Sequence, residues 1–377
     1  MVAGLPDKQR LTAIASVESE VISNFQGARP LRDSEFAAHG KQFSAGWQLP
    51  GLLKSDKHQL RLLLPESFPF ARSRVAVYPM EPMFTWPHLE EGGLLCLAPD
   101  EAPHLPGNAV ATVVLAINRA QSLVNDCLEG RGFSQFEDEF VSYWNRWAKA
   151  EQPVRSLCQP DGPSRHVRAW YGKAITVVAE DDTSLRAWLD GFFGEKVSAE
   201  NFTPREVPFI WLEKVPRPAE YPTNVGALLR LVQSDSQSKA LLEKLLLDQG
   251  VSNKTILFGC RTRQGVGLGA VRILKPQSHR GAADPLTKGG FRGAPPKPIL
   301  LARYSAAPVV GAKVIRCDPA WVHGRDHNPA VGTLSTKSVV VFGIGSVGSP
   351  VVTLLAKSGV GKITLVDPQT LDSENTS

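Results

Sequence analysis

The chain has 377 residues, 42% of them hydrophobic and 21% charged, a balance that suits a globular protein with two or three cores. A formal charge of +5 is mild for this length and argues against a dedicated nucleic-acid binder. The five cysteines, Cys96, Cys127, Cys158, Cys260 and Cys317, form no CxxC pair, so the spacing carries no zinc or redox motif and fits a reducing cytoplasm.

The N-terminal run MVAGLPDKQRLTAIASVESEVISNF lacks a basic head before an unbroken apolar block, which argues against a signal peptide. No stretch is long and apolar enough to span a bilayer. Leu11, Ile14, Val17, Val21, Ile22 and Phe25 recur at helical spacing and predict a first helix. Strands are expected at Phe43–Leu49 and Gln59–Leu64. The prolines of PESFPFARSRVAVYPMEPMF then forbid a long helix and demand an extended, turn-rich path. The stretch LPGNAVATVVLAINRAQSLVNDCL reads as a helix capped by Asn108. In SQFEDEFVSYWNRWAKA, Phe136, Phe140, Trp144 and Trp147 share one helical face, a pattern of helix packing.

A boundary is expected in EQPVRSLCQPDGPSRH, where Pro, Gly and charge mix. Beyond it, KAITVVA, PFIWLEKV, KTILFGCRT and GAVRILK read as strands, with VGALLRLVQSDSQSKALLEKLLLDQ as the helical stretch between the second and third. The segment near 277–297 is basic and rich in Gly and Pro, as a flexible loop is. The chain divides on this reading into 1–152, an α/β linker domain over 165–330, and 337–377. The fold class is α/β multidomain.

Near the C-terminus, SVVVFGIGSVGSPVVTLLAKSGVGKITLVD has the layout of a βαβ unit. Gly343, Gly345 and Gly348 allow a tight turn and close approach of a phosphate to a helix N-terminus, and Asp367 stands where it can accept from ribose hydroxyls. Taken alone, this pattern favours NAD as much as ATP, which leaves an oxidoreductase open. Through LVDPQTLDSENTS the segment resembles ThiF-type adenylation domains of ubiquitin-activating enzymes, with a Rossmann-like sheet. The resemblance implies that Asp367, Asp372 and Asn375 bind nucleotide, that the complete domain uses ATP and Mg, and that it forms a homodimer. The family's arginine, lysine, magnesium-binding Asp and own cysteine have no match through Ser377. This piece by itself is therefore not expected to adenylate.

Cys96 lies in WPHLEEGGLLCLAPD. Its apolar flanks, taken alone, read as those of a buried core cysteine. In FPFARSRVAVYPMEPMFTWPHLEEGGLLCL, however, Tyr78, Pro79 and Pro82 form a proline run, Trp86, Pro87 and His88 a tripeptide, and Cys96 follows His88 by eight residues. This order resembles the catalytic domain of ubiquitin-conjugating enzymes over about residues 5–150. The resemblance implies that Cys96 carries an acyl group as a thioester, a task suited to a thiolate that is both nucleophile and leaving group. His88 stands near the family's Asn, as an oxyanion donor or as a packed histidine that shapes the loop. His104 is placed to assist amine deprotonation and Asp100 to orient the amine or depress its pKa; both also read as loop or cap residues. The remaining four cysteines read as structural.

The three segments in this order resemble bacterial conjugating–activating fusion proteins, found in antiphage operons that include those encoding a cyclic-oligonucleotide synthase. The resemblance implies that the partners are the C-terminus of a ubiquitin-like protein or of that synthase, and an amine on a target protein. WVHGRD resembles the segment that precedes adenylation in such proteins. The alternative is an interaction module of conjugating-like fold in which Cys96 is inert.

Overall fold

The computed structural model describes residues 5–40, 42–97, 106–194, 197–198, 200–248, 254–274, 296–327 and 330–369. They fall into two units, Met1–Glu137 and Asp138–Ser377, each described by itself. The fold is mixed α/β, as the sequence pattern implies.

The first unit runs α1 (Leu5–Asn24), β1 (Arg29–Pro30), α2 (Asp33–Ala37), β2 (Phe43–Leu49), β3 (Gln59–Pro65), β4 (Arg74–Tyr78), α3 (Ala109–Leu128) and α4 (Gln135–Asp138). Its four strands pair in chain order, all antiparallel. β3 is the central element: Leu60, Leu62, Leu63 and Leu64 are all fully buried, because both faces of the sheet are covered. On one face, Leu60, Leu62 and Leu64 pack with Val17 and Val21 of α1 and with Val113, Ile117 and Val124 of α3. On the other, Leu63 and Ala76 meet Leu31, Phe43 and Leu94. This explains why β3 carries leucines at three successive positions, Leu62, Leu63 and Leu64, rather than a strict alternation. Asn108 caps α3 by accepting from the Ala111 amide at 3.3 Å, as the sequence predicts.

The expected first helix forms, but Leu11 and Ile22 point outward, at 66% and 60% exposure. Only the stripe through Val17 and Val21 is buried, so the apolar face is narrower than the periodicity suggests.

In the second unit, α5 (Phe140–Trp147) precedes β5 (Val154–Ser156), β6 (Arg165–Tyr171), β7 (Thr176–Ala179), α6 (Asp182–Phe193) and β8 (Arg205–Leu212). Then come α7 (Val225–Leu231), α8 (Ser236–Leu247), β9 (Lys254–Thr262), β10 (Gly265–Ile273), α9 (Lys297–Ser305), β11 (Val309–Ala312) and β12 (Val314–Arg316). These strands make one mixed sheet in the order β11-β10-β9-β8-β6-β7-β5-β12. The basic segment near 277–297 lies outside the described residues except at its end.

Two sequence readings change here. The aromatic stretch expected as one helix breaks at Glu139 (φ −102°, ψ 29°), so Phe136 belongs to the first unit and Phe140, Trp144 and Trp147 to the second. Likewise VGALLRLVQSDSQSKALLEKLLLDQ is two helices. Asp235 starts the second by accepting from the amides of Gln237 and Ser238 at 3.0 and 3.1 Å, which is a helix N-cap in the middle of the apolar pattern.

The α5 aromatics need small partners. Trp144 is fully buried and donates its indole N–H to the Ala312 carbonyl at 3.1 Å. Facing α5 are glycines: a Cβ at Gly269 would stand 2.6 Å from Trp144, one at Gly267 would stand 2.7 Å from Phe140, and one at Gly311 would overlap Trp147. The rings thus lie directly against the backbone of β10 and β11. A Gly269→Ala variant is expected to lose about 1–3 kcal/mol of stability through overpacking, measured as a lower urea midpoint at unchanged slope.

The last elements are α10 (Pro319–Gly324), α11 (Val331–Leu334), β13 (Ser338–Phe342), α12 (Gly348–Lys357) and β14 (Lys362–Val366). β13 and β14 pair in parallel in full register, from Ser338 against Lys362 to Phe342 against Val366. This is the βαβ unit that the glycine motif predicts.

Candidate functional site

Cys96 sits at the end of a short return of the chain along the edge of β4. Leu94 bridges Ala76, and the Leu95 amide donates to the Val75 carbonyl at 2.8 Å. The chain also pairs with itself: Leu89 bridges Leu95, the Glu90 amide donates to Leu94 O at 2.8 Å, and the Cys96 amide donates to His88 O at 2.9 Å. Side-chain alternation anchors the segment. Leu94 enters the cluster on one face of the sheet and Leu95 the cluster on the other. Burying each leucine contributes roughly 1.5–3 kcal/mol. Cys96 follows them and is half-buried.

The return is made by Gly92 and Gly93, with φ of +71° and +73°. Residues with side chains avoid this region, and a Cβ at Gly93 would also stand 2.7 Å from the Val77 carbonyl oxygen. An ion pair between Arg74 and Glu90 ties the near arm to β4.

His88 is half-buried, with φ +59°, and its carbonyl oxygen is the acceptor for the Cys96 amide. Its main chain is thereby joined to the cysteine. Trp86 and Pro87 before it are buried. Trp86 lies edge-on to His58 at 5.2 Å between ring centres, and His58 Nε2 meets Glu81 Oε1 at 2.7 Å. That hydrogen bond is the main cause holding the Glu81 carboxyl below its usual range. His104 and Asp100 lie outside the described residues.

Behind the segment runs a chain of charges. Arg29 donates to both carboxylate oxygens of Glu35, at 3.0 and 2.8 Å, and Arg61 reaches Glu35 Oε1 at 3.3 Å. Arg61 is only 2% exposed and lies over the Tyr78 ring, 3.5 Å from its centre. The Arg29 hydrogen bond, with the Arg32 amide, holds the Glu35 carboxyl down at about 2.

The other cysteines differ in kind. Burial pushes the thiols of Cys127, Cys158 and Cys260 up to about 11, 12 and 12, which suppresses the nucleophilic thiolate. Cys317 is half-buried, and burial raises its thiol as well.

In the βαβ unit, Gly343, Gly345, Gly348 and Asp367 come together. Gly343 has φ +83°, and its amide donates to Val366 O at 2.8 Å. A Cβ at Gly348 would overlap the Gly343 carbonyl oxygen, whereas nothing stands within 4 Å of one at Gly345. The Asp367 carboxylate accepts from the Ile344 and Gln369 amides, and these bonds hold it below its usual range. The acid is thus tied to the glycine loop at the strand ends, where an open space lies over Gly345. Asp372 and Asn375 lie outside the described residues. Among the described residues no cluster of His, Cys, Asp or Glu is arranged to hold a metal, and no helix is long and apolar enough to cross a membrane.

α10 is bound on both sides within this unit. Arg316 of β12 pairs with Asp318 at 2.8 Å and with Asp326 at 2.5 Å, and His323 Nδ1 meets the Lys357 carbonyl at the end of α12 at 3.0 Å. The WVHGRD segment is therefore a connector from the large sheet to the βαβ unit.

Compared with protein families, residues 24–153 match Prokaryotic E2 family B, and residues 327–377 match the ThiF family. No curated protein matches the chain. The two matches, in this order, support a fusion of conjugating-type and ThiF-type domains and, in general terms, ubiquitin-like conjugation and activation.

The sequence did not single out Gly92, Gly93, His58 or Glu81. The adjacent glycines were the one visible signal of a tight return before Cys96.

Glu35 supports a pH test. Its folded value lies below the unfolded one, so its contribution is present above about 4.5 and is lost as pH falls toward about 2. Glu35→Gln should cost about 1–2 kcal/mol near neutral pH, allowing for solvent screening of a partly exposed carboxylate. The gap from wild type should close over that acid window in thermal melts.

Proposed function

We propose that the protein carries an acyl group as a thioester on Cys96 and transfers it to an amine of a target protein, as a step of ubiquitin-like conjugation in antiphage defence. The observation that carries this reading is the placement of Cys96. It is a half-buried thiol at the end of a segment pinned to β4 by main-chain bonds and two buried leucines, within the stretch that matches the conjugating family. The donor on this reading is the C-terminus of a ubiquitin-like protein or of a cyclic-oligonucleotide synthase.

The chemistry follows from the thiol. The Cys96 thiolate adds to the activated carbonyl and the donor's leaving group departs; later an amine adds to the thioester carbonyl and the thiolate leaves. Two needs remain: a donor for the oxygen that gains charge, and a base for the amine proton. His88, joined to Cys96 through its main chain, is assigned the first role. His104 is assigned the second, with Asp100 orienting the amine or depressing its pKa.

The glycine loop is assigned to nucleotide. Gly345 leaves room for a phosphate near the start of α12, Gly343 and Gly348 make the tight turn beside it, and Asp367 is held at the strand end to accept from a ribose. In the complete domain, bound ATP with Mg would supply the adenylyl group that activates a carboxylate, with pyrophosphate as the leaving group. Asp372 and Asn375 are assigned to the same site, which in the complete family domain is that of a homodimer.

Mass mapping of protein expressed in its native host tests the carrier. Wild type should bear an adduct on the Cys96 peptide that neutral hydroxylamine or excess thiol removes by taking the acyl group, and that a non-thiol reductant leaves in place. Cys96→Ser should hold the same acyl group as a thiol-resistant oxyester, and Cys96→Ala should hold none. An adduct that survives in Cys96→Ala, or none in wild type and Cys96→Ser alike, contradicts the proposal. His88→Ala should slow discharge to free lysine about a hundred- to thousandfold, the scale of one lost oxyanion donor.

A further inference from the structure

The turn that delivers Cys96 is held from behind by a histidine in the loop after α2. His39 is 4% exposed, and its two ring nitrogens are both engaged. Nδ1 lies 2.6 Å from the Gly92 carbonyl oxygen, and Nε2 lies 3.1 Å from Arg61 Nη1. These partners determine the tautomer. A carbonyl oxygen only accepts, so Nδ1 carries the hydrogen; a guanidinium only donates, so Nε2 presents its lone pair. The contact is close on the backbone side too, since a Cβ at Gly92 would stand 3.2 Å from His39 Cα.

We propose that His39, as the neutral Nδ1–H tautomer clamped between Arg61 and the Gly92 carbonyl, is a positioning residue that fixes the Gly92–Gly93 turn and so the place of the Cys96 thiol. The proposal rests on the reading of Cys96 as the acyl carrier. His39 touches no reacting atom and acts through the turn. Gly92 precedes the pinned residues Leu94 and Leu95, so a slack turn loosens the amide bonds of Leu95 to Val75 and of Cys96 to His88.

The clamp also depends on pH. The charged groups facing His39 are Arg61 of β3 directly and, through it, Glu35 of α2 and Arg29 of β1, with the Tyr78 ring of β4 beneath Arg61. Protonation would set a second N–H and a positive charge against the Arg61 guanidinium, losing that bond. Burial is the largest cause holding the imidazole below its usual range; the Gly92 bond works against it and the Arg61 charge with it. The folded value is therefore lower than the unfolded one. The clamp's contribution is intact above the ordinary histidine value of about 6.5 and declines as pH falls through the folded value.

The test uses the whole chain as wild type, His39→Ala and His39→Asn. Asn keeps an N–H for Gly92 but does not titrate. Two quantities are read: amide exchange at Leu95 and Cys96 relative to Leu62 of β3, at about pH 5 and about pH 8 and corrected for intrinsic rates; and discharge of a Cys96 thioester, loaded from a glycine-ended peptide thioester, to free lysine. His39→Ala should raise the relative opening about tenfold and lower the first-order discharge constant by a similar factor, with the half-saturating lysine concentration unchanged. His39→Asn should return both to within about twofold and abolish the acid-side rise in opening that wild type shows. Equal exchange and discharge in wild type and His39→Ala would overturn the proposal. So would an acid-side rise in His39→Asn equal to that of wild type, which decides the matter even if the Ala variant fails to fold. A wild type that shows the exchange pattern but takes no acyl group on Cys96 would instead overturn the carrier reading, so the two failures are told apart.

Discussion

The site depends on one backbone constraint. Leu94 and Leu95 are buried on opposite faces of the sheet, so the main chain that carries them must find hydrogen-bond partners at the edge of β4. It finds Val75 on one side and its own returning arm, His88 to Glu90, on the other. That pairing requires the two positive-φ glycines, and it places Cys96 immediately beyond the last buried side chain. The mixed surroundings of the thiol follow. It is close enough to the core to be held and near enough to the surface to be met by another molecule.

The same economy recurs in the second unit with different parts. There the aromatic face of α5 is packed on glycines of β10 and β11, so ring and backbone are in contact with no side chain between them. The charges of α10 make a second connection, from β12 through Arg316 to Asp318 and Asp326, and from His323 to the end of α12. The glycine loop and Asp367 are thereby attached to a framework larger than two strands and a helix.

Much of this was legible in sequence where the signal is local. The apolar runs at Phe43–Leu49 and Gln59–Leu64 are strands, Asn108 caps α3, and the glycine motif is a strand–helix–strand unit. The spacing of Cys96 from the Trp-Pro-His tripeptide pointed to the segment that the structure draws together. What sequence concealed was distant or broken. His39 and Gly92 are 53 positions apart, and nothing in either neighbourhood announces the contact. The aromatic periodicity from Phe136 to Trp147 was real as spacing, yet the chain turns at Glu139 and leaves Phe136 and the later rings in different units. Periodicity reports which residues want burial, not which partner buries them.

On the proposed function, Cys96 is the one of five thiols that carries the acyl group. The most direct measurement is site occupancy after the native protein meets a limiting amount of a glycine-ended peptide thioester, read by peptide mapping. Cys317 is the informative competitor, being half-buried as Cys96 is, with its thiol raised by burial. Nearly all of the acyl group should reside on the Cys96 peptide. Equal labelling of Cys317, or labelling of Cys317 in preference, would contradict it.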